Sequence, residues 1–347
     1  KEKNQGDYIK EIKKNFYNLR CTLDCVKDYF IIKTVFEKAK NIKLNYLKMC
    51  EILKDIKKNE INNQKKKYSN IILGSAQFDG KYGIANREKL KEKNLNKIFR
   101  IANEIGISKI DTAFHYKGVH NKIAKNEFGK KFDIISKGNI DLSKNNSFVD
   151  EFNKTLKKFH PNKLKYFLIH NFNGYYGNEK KIHNIFKKNK LIKDKIGISI
   201  YSPEELKKID SKIFNIIQIP FNLCDFRWKN IKLEIKKKII IRSIFLQGIF
   251  FCKDDEIPIK IKAEVKKIKT KINIFVKKFK RFNTKDLLLN YTKYYNFKGI
   301  IIGVDNESHL KEIFFYLNRP KLKKEQIKEI DKLLNVSLNV IDPRKWY

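Results

Sequence analysis

Asp111, Tyr116, Lys137 and His170 bring a carboxylate, a phenol, an ammonium and an imidazole into one short stretch of chain. A phenol titrates near pH 10 and is a weak acid at neutral pH. An ammonium beside it favours the phenolate and lowers that value. A carboxylate can hold the ammonium in place and keep it charged, and an imidazole can hydrogen-bond a substrate oxygen. Such a set suits reduction of a carbonyl, where a proton must reach oxygen as hydride reaches carbon. Each residue also has a plainer reading. Asp111 can cap a turn, Tyr116 is one of 16 tyrosines and Lys137 one of many lysines. Against that, Lys137 and His170 close apolar runs, where a polar side chain without a partner is costly.

To act together, the four must be carried to one place by the elements that hold them. From Ile71 the sequence alternates short apolar runs with helical patterns. Strands are predicted at 71–76, 108–113, 132–137, 164–170, 195–199, 215–221, 239–245 and 299–304. Helices are predicted at 90–105, 121–128, 148–159, 179–190, from Pro203 behind the N-cap Ser202, at 232–238, 261–295 and 307–317. The runs are β-branched and continuous, such as Ile239-Ile240-Ile241, as suits parallel strands buried on both faces. Eight strand–helix units suggest an α/β fold of the (β/α)8 TIM-barrel type, which takes about 250 residues and carries its chemistry at the C-terminal ends of its strands. A doubly wound sheet is the alternative, weakened by the lack of a G-x-G-x-x-G after any strand. Lys137 and His170 end predicted strands, and another ends in Asp111-Thr112-Ala113, with Tyr116 just beyond it and Gln218 on a further strand.

The run Asp111-Thr112-Ala113-x-x-Tyr116, then Ile135-Ser136-Lys137, then Leu168-Ile169-His170-Asn171, resembles the aldo/keto reductase family in order and spacing. Further matches are Ile72-Leu73-Gly74-Ser75-Ala76-Gln77 with Tyr82-Gly83, Ile196-Gly197-Ile198-Ser199 and Ile217 to Asn222. Arg242-Ser243-Ile244-Phe245-Leu246-Gln247-Gly248 and Ile301-Ile302-Gly303-Val304 match as well. The resemblance implies a catalytic tetrad of Asp111, Tyr116, Lys137 and His170, and NAD(P)H bound without a Rossmann unit. It implies that Ser199 and Gln218 hold the nicotinamide carboxamide, and that the loop from Gly303 through Val304 and Asp305 to His309 lies near the adenosine phosphate. Gly74, Ser75, Arg242, Ser243 and Phe245 complete the expected cofactor-binding set. The sequence departs from the family pattern at Ile200, where Asn is common, and at Arg242, where an aromatic often stacks on the nicotinamide. Lys117 and His120 stand where Gly and Glu are usual. Arg242 is read equally as a rim ion pair. An acidic Asp305 near a 2′-phosphate would disfavour NADP, so NADH is expected to bind at least as well as NADPH.

Composition bounds the rest. The 347 residues carry a formal charge of +40, which invites a nucleic-acid reading. Only 8 of the 78 basic residues are Arg, whereas specific readers of bases and phosphates favour the Arg fork. Lys spread over every helix reads as a solvated face, so no specific nucleic-acid partner is expected. Cys21, Cys25, Cys50, Cys224 and Cys252 show no zinc-ligand spacing, and a reducing cytoplasm fits them. No metal site, membrane span or signal peptide is expected.

Residues 71–320 are thus expected to form the barrel and 321–347 a C-terminal helix and tail. Before them, 57–70 reads as a Lys- and Asn-rich linker, and 1–56 as a short, mostly helical segment. Within it, Leu19-Arg20-Cys21-Thr22-Leu23-Asp24 with Asp28-Tyr29 resembles the truncated tail of a polysaccharide-type cytidylyltransferase. That likeness implies a small-molecule, sugar-like carbonyl substrate in surface-polysaccharide precursor metabolism. The alternative functions are a barrel that binds cofactor without turnover, and a nucleotidyltransferase with an accessory barrel. The intact tetrad argues against the first, and the missing Gly- and Arg-rich nucleotide loop against the second.

Overall fold

Eight short strands in the computed structural model pair in sequence order, all parallel, and β1 closes onto β8 to complete a barrel. They are β1 (Ile71–Gly74), β2 (Lys109–Asp111), β3 (Asp133–Gly138), β4 (Leu164–Ile169), β5 (Ile196–Ser199), β6 (Ile216–Pro220), β7 (Ile239–Arg242) and β8 (Gly299–Gly303). The structure describes residues 68–347 except 79, 81, 82, 85–89, 91, 142, 144–146, 335 and the side chain of Phe226. The expected cytidylyltransferase-like tail and nearly all of the linker lie outside the described residues. The barrel belongs to one compact unit, residues 69–103 and 107–347.

Side chains alternate across a strand, and that alternation fixes what faces the barrel axis. Ile72, Ile135, Leu168, Ile216, Ile240 and Ile301, one from each of six strands, form a single buried cluster. Gly197 on β5 leaves room for it: a Cβ there would lie 2.5 Å from Ile216 Cγ2 and 2.8 Å from the Ile216 carbonyl oxygen. The opposite faces carry the other half of each apolar run outward. Phe167 on β4, for example, packs its ring against Phe148 and Phe152 of the helix Ser147–Phe159.

The expected helices follow their strands, with bounds that differ by at most a few residues: Glu92–Glu104, Val119–Lys125, Ser147–Phe159, Glu179–Lys188, Pro203–Lys207, Leu233–Lys236 and Glu307–Leu317. Ser202 caps the Pro203 helix by accepting from the Glu205 N–H. The helical material at 261–295 is two helices, Ile259–Lys278 and Thr284–Tyr294. Between them Lys280 takes a positive φ of 50°, and Asn283 caps the second helix by accepting from the Asp286 N–H. Buried Asp286 then pairs with Arg281 and Arg319, which pins the corner. The C-terminal stretch holds the helices Lys324–Leu333 and Leu338–Ile341 and the buried Trp346. Among the described residues no helix is long and apolar enough to cross a membrane.

Candidate active site

Two residues beyond the six-strand apolar cluster, toward the strand C-termini, the same faces carry Gly74, Lys137, His170, Gln218, Arg242 and Gly303. All six line one cavity of about 490 Å³. Asp111 joins them from β2, in register with Gly74 on one side and Ile135 on the other. Backbone hydrogen bonds past the strand ends hold the rim. The Ser75 N–H donates to the Asp111 carbonyl at 3.0 Å, Phe114 N–H to the Lys137 carbonyl at 2.7 Å, and His170 N–H to the Gly138 carbonyl at 2.9 Å. Side chains that a strand period of two would send to one face therefore meet above a packed floor.

Asp111 is the hub. The Lys137 ammonium donates to its Oδ2 at 2.6 Å, and the Gln218 amide Nε2 donates to its Oδ1 at 2.8 Å. A carboxylate only accepts, so the amide nitrogen of Gln218 faces it and Oε1 is left buried without a partner. Lys137 is fully enclosed. Burial pushes its pKa down, and Asp111 opposes that shift by charge and hydrogen bond. The Lys137 nitrogen lies 5.9 Å from the Tyr116 ring centre, and the His170 and Tyr116 rings meet edge to face at 6.5 Å. His170 is pushed down to about 3, first by burial and then by the positive charges of Lys137 and Arg242. It is therefore a neutral imidazole near pH 7.

Of the residues expected to bind cofactor, Gly74, Ser75, Gln218, Arg242, Ser243, Phe245, Gly303, Asp305 and His309 line the cavity. Ser199 and Val304 do not. Ser199, on β5, is buried and in register with Gln218 of β6. Val304 follows Gly303, so its side chain turns to the other face and is fully buried. His309 pairs with Asp305 at 3.3 Å. His115 faces Glu151 at 3.0 Å. His120 packs against Ser136 Oγ at 3.1 Å, and burial lowers its pKa to about 4.

Sequence reasoning missed Tyr201, Gln77, Gln247, Gly248, Phe251 and Lys285, which also line the cavity. Gln247 and Gly248 stand within the matched β7 run and were within reach of that signal. Lys285 comes from a distant helix, and nothing local marks it. The loop after β7 is strained: Ser243, Leu246 and Gln247 have positive φ of 59°, 44° and 52°, a conformation that non-glycine residues adopt rarely and mostly at functional sites. Gly83 (φ 81°) backs onto it, and a Cβ there would come within 2.7 Å of the Gln247 carbonyl oxygen. Cys224 and Cys252 are buried free thiols, and no group of three metal-binding side chains occurs among the described residues.

The cavity suits a nicotinamide cofactor on its own evidence. Gln218 Oε1 and Ser75 Oγ are buried without partners, and a ligand amide supplies both donor and acceptor for such atoms.

Residues 70–335 match the model of the aldo/keto reductase family. No curated protein matches the chain. Among solved structures, a thermostable aldo-keto reductase with the inhibitor epalrestat is 18% identical, with TM-score 0.54, over 76% of this chain and 94% of that one. An aldo-keto reductase from Klebsiella pneumoniae in complex with NADPH is 14% identical, with TM-score 0.52, over 78% and 92%. A glycerol dehydrogenase from Gluconobacter oxydans is 17% identical, with TM-score 0.51, over 79% and 93%. At these identities the structures show a shared fold.

Proposed function

The chain belongs to the aldo/keto reductase family of NAD(P)-dependent oxidoreductases, and from that premise we propose that Tyr116 is the proton donor in reduction of a small-molecule carbonyl. The observation that carries the reading is the pair of contacts at Asp111, which fixes a buried ammonium within 5.9 Å of the Tyr116 ring. Asp111 offsets the cost of burying Lys137. Lys137 in turn favours the phenolate that remains once Tyr116 has given its proton to the substrate oxygen. His170, neutral near pH 7, donates a ring N–H to that oxygen and orients it without adding charge. In the reverse direction Tyr116 accepts the proton of an alcohol. Gln218 and Ser75 would hold the carboxamide of bound NAD(P)H, which supplies the hydride.

The finer reading of substrate is a sugar-like carbonyl in surface-polysaccharide precursor metabolism. It is supported by the N-terminal likeness to a cytidylyltransferase tail. Cofactor choice falls to the basic side chains that line the cavity beside acidic ones. Lys285 is engaged by Glu312 at 2.5 Å and His309 by Asp305 at 3.3 Å. Both basic side chains already face a carboxylate, so a 2′-phosphate gains little. Fluorescence titration is the test: both reduced cofactors should bind, NADH at least as tightly as NADPH. Binding of neither would sink the function, and a clear preference for NADPH would sink only the choice.

A further inference from the structure

Arg242 differs from the other arginines around it. Arg227 lies against Asp225, Arg281 and Arg319 against Asp286, and Arg344 against Asp342. No carboxylate among the described residues pairs with Arg242. Its Nη1 makes one long contact, 3.4 Å, to Ser243 Oγ, and its Nη2 is buried without a partner. The carboxylates that share the cavity are occupied. Asp111 holds Lys137 and Gln218, and Asp305 holds His309.

The guanidinium is nonetheless held firmly. Its Cζ lies 4.2 Å from the Tyr201 ring centre, and the Arg344 Cζ lies over the same ring at 3.9 Å. Tyr201 is fixed by its backbone. Its carbonyl accepts from Arg227 Nη2 at 3.2 Å and its N–H donates to Glu205 Oε2 at 2.7 Å. Stacking uses the face of a guanidinium and leaves the donors on its edge free. A partly buried cation with free edge donors is costly when unpaired. A carboxylate or phosphate that accepts two of those donors removes the cost and gains a forked, charge-assisted contact.

We propose that Arg242 binds an anionic group on the substrate, so that the carbonyl compounds reduced here are oxo acids or phosphorylated carbonyl compounds. The proposal rests on the reductase reading above. The same guanidinium chemistry could instead serve the diphosphate of the cofactor, and the experiment separates the two sources.

The probes are para-formylbenzoate and its methyl ester, which differ in charge and share the aldehyde, together with the non-reacting dianion terephthalate. Wild type should favour the acid over the ester in kcat/KM by about 10- to 100-fold, the range expected for a hydrogen-bonded charge pair. In Arg242→Gln that ratio should collapse toward one. Terephthalate binding, read by calorimetry, should weaken by a similar factor, and NADH affinity should fall much less. Arg242→Lys keeps the charge and loses the fork, so it should retain part of the preference. If the Gln variant does not fold, a Lys variant with unreduced preference overturns the proposal. An acid-to-ester ratio near one in wild type also overturns it. So does an equal loss on both substrates that tracks a loss of NADH affinity, which assigns Arg242 to the cofactor. If wild type binds terephthalate through Arg242 but reduces neither aldehyde, the reductase reading fails and the anion site stands.

Discussion

At the scale of single residues, the account turns on Asp111, whose two oxygens are both taken, by Lys137 and by Gln218. Lys137→Met removes the charge that favours phenolate at Tyr116, so the rate of reduction should fall by about 10²–10⁴, the usual worth of general acid–base catalysis. Asp111→Asn should be milder in chemistry, provided Lys137 stays charged and placed. It should cost more in stability, because an amide in place of the carboxylate loses the ion pair and leaves a buried cation short of a partner. Rapid-mixing kinetics and thermal melts of the two variants check both halves. An Asp111→Asn variant slower than Lys137→Met would contradict the division of roles. These residues were legible because chemistry left them as polar ends on apolar runs. Arg242 was legible as a departure from pattern but not as a choice between ion pair and free cation, since only the fold shows that no carboxylate reaches it. Tyr201 and Lys285 carried no such mark, for each enters the cavity from an element whose sequence reads as ordinary.

At the scale of elements, the alternation that sends Ile135, Leu168 and Ile216 to the floor sends Lys137, His170 and Gln218 to the rim. Register and chemistry are thus one constraint, and a strand cannot slip by one residue without exchanging both. The order of all eight strands was readable for this reason, although their ends were overextended. The residues past each end still bond to a neighbouring strand, as Ser75 does to Asp111, without continuing the ladder. The corner at 279–283 was not readable, because the apolar period runs through it and no Pro or Gly interrupts it. It is made by Asp286 and two arginines drawn from 281 and 319, a tertiary cause. Gly197 tests the packing of the floor. Gly197→Ala places a methyl within 2.8 Å of the Ile216 carbonyl oxygen, so the backbone must move, which typically costs about 1–3 kcal/mol. A domain of this size should then lose roughly 2–4 °C in Tm per kcal/mol. An unchanged melting temperature would mean that the barrel axis is looser than the contacts indicate.

At the scale of the whole molecule, two partly buried imidazoles set a dependence of stability on pH. His170 and His120 are held down to about 3 and about 4 by burial and nearby cations. A histidine whose folded pKa lies below its unfolded value binds fewer protons when folded. Its stabilising share is complete above the ordinary pKa of about 6.5 and is lost as pH falls toward the folded value. Between pH 7 and pH 5 each should cost on the order of 1–2 kcal/mol. The Tm should therefore fall across that window, and the fall should shrink in a His120→Gln variant. A flat Tm from pH 7 to 5 would contradict the burial of these rings. Catalysis, by the same token, should show no titration near 6.5 from His170. The measurement that bears most directly on the proposed chemistry is single-turnover reduction by Tyr116→Phe, with reduced-cofactor affinity measured in parallel. The variant loses one hydroxyl and keeps the ring that packs beside His170. Reduction should fall by about 10²–10⁴ while cofactor affinity barely moves. Near-full activity of Tyr116→Phe on a substrate that wild type reduces would mean that the proton comes from another group, and the assignment of Tyr116 would be wrong.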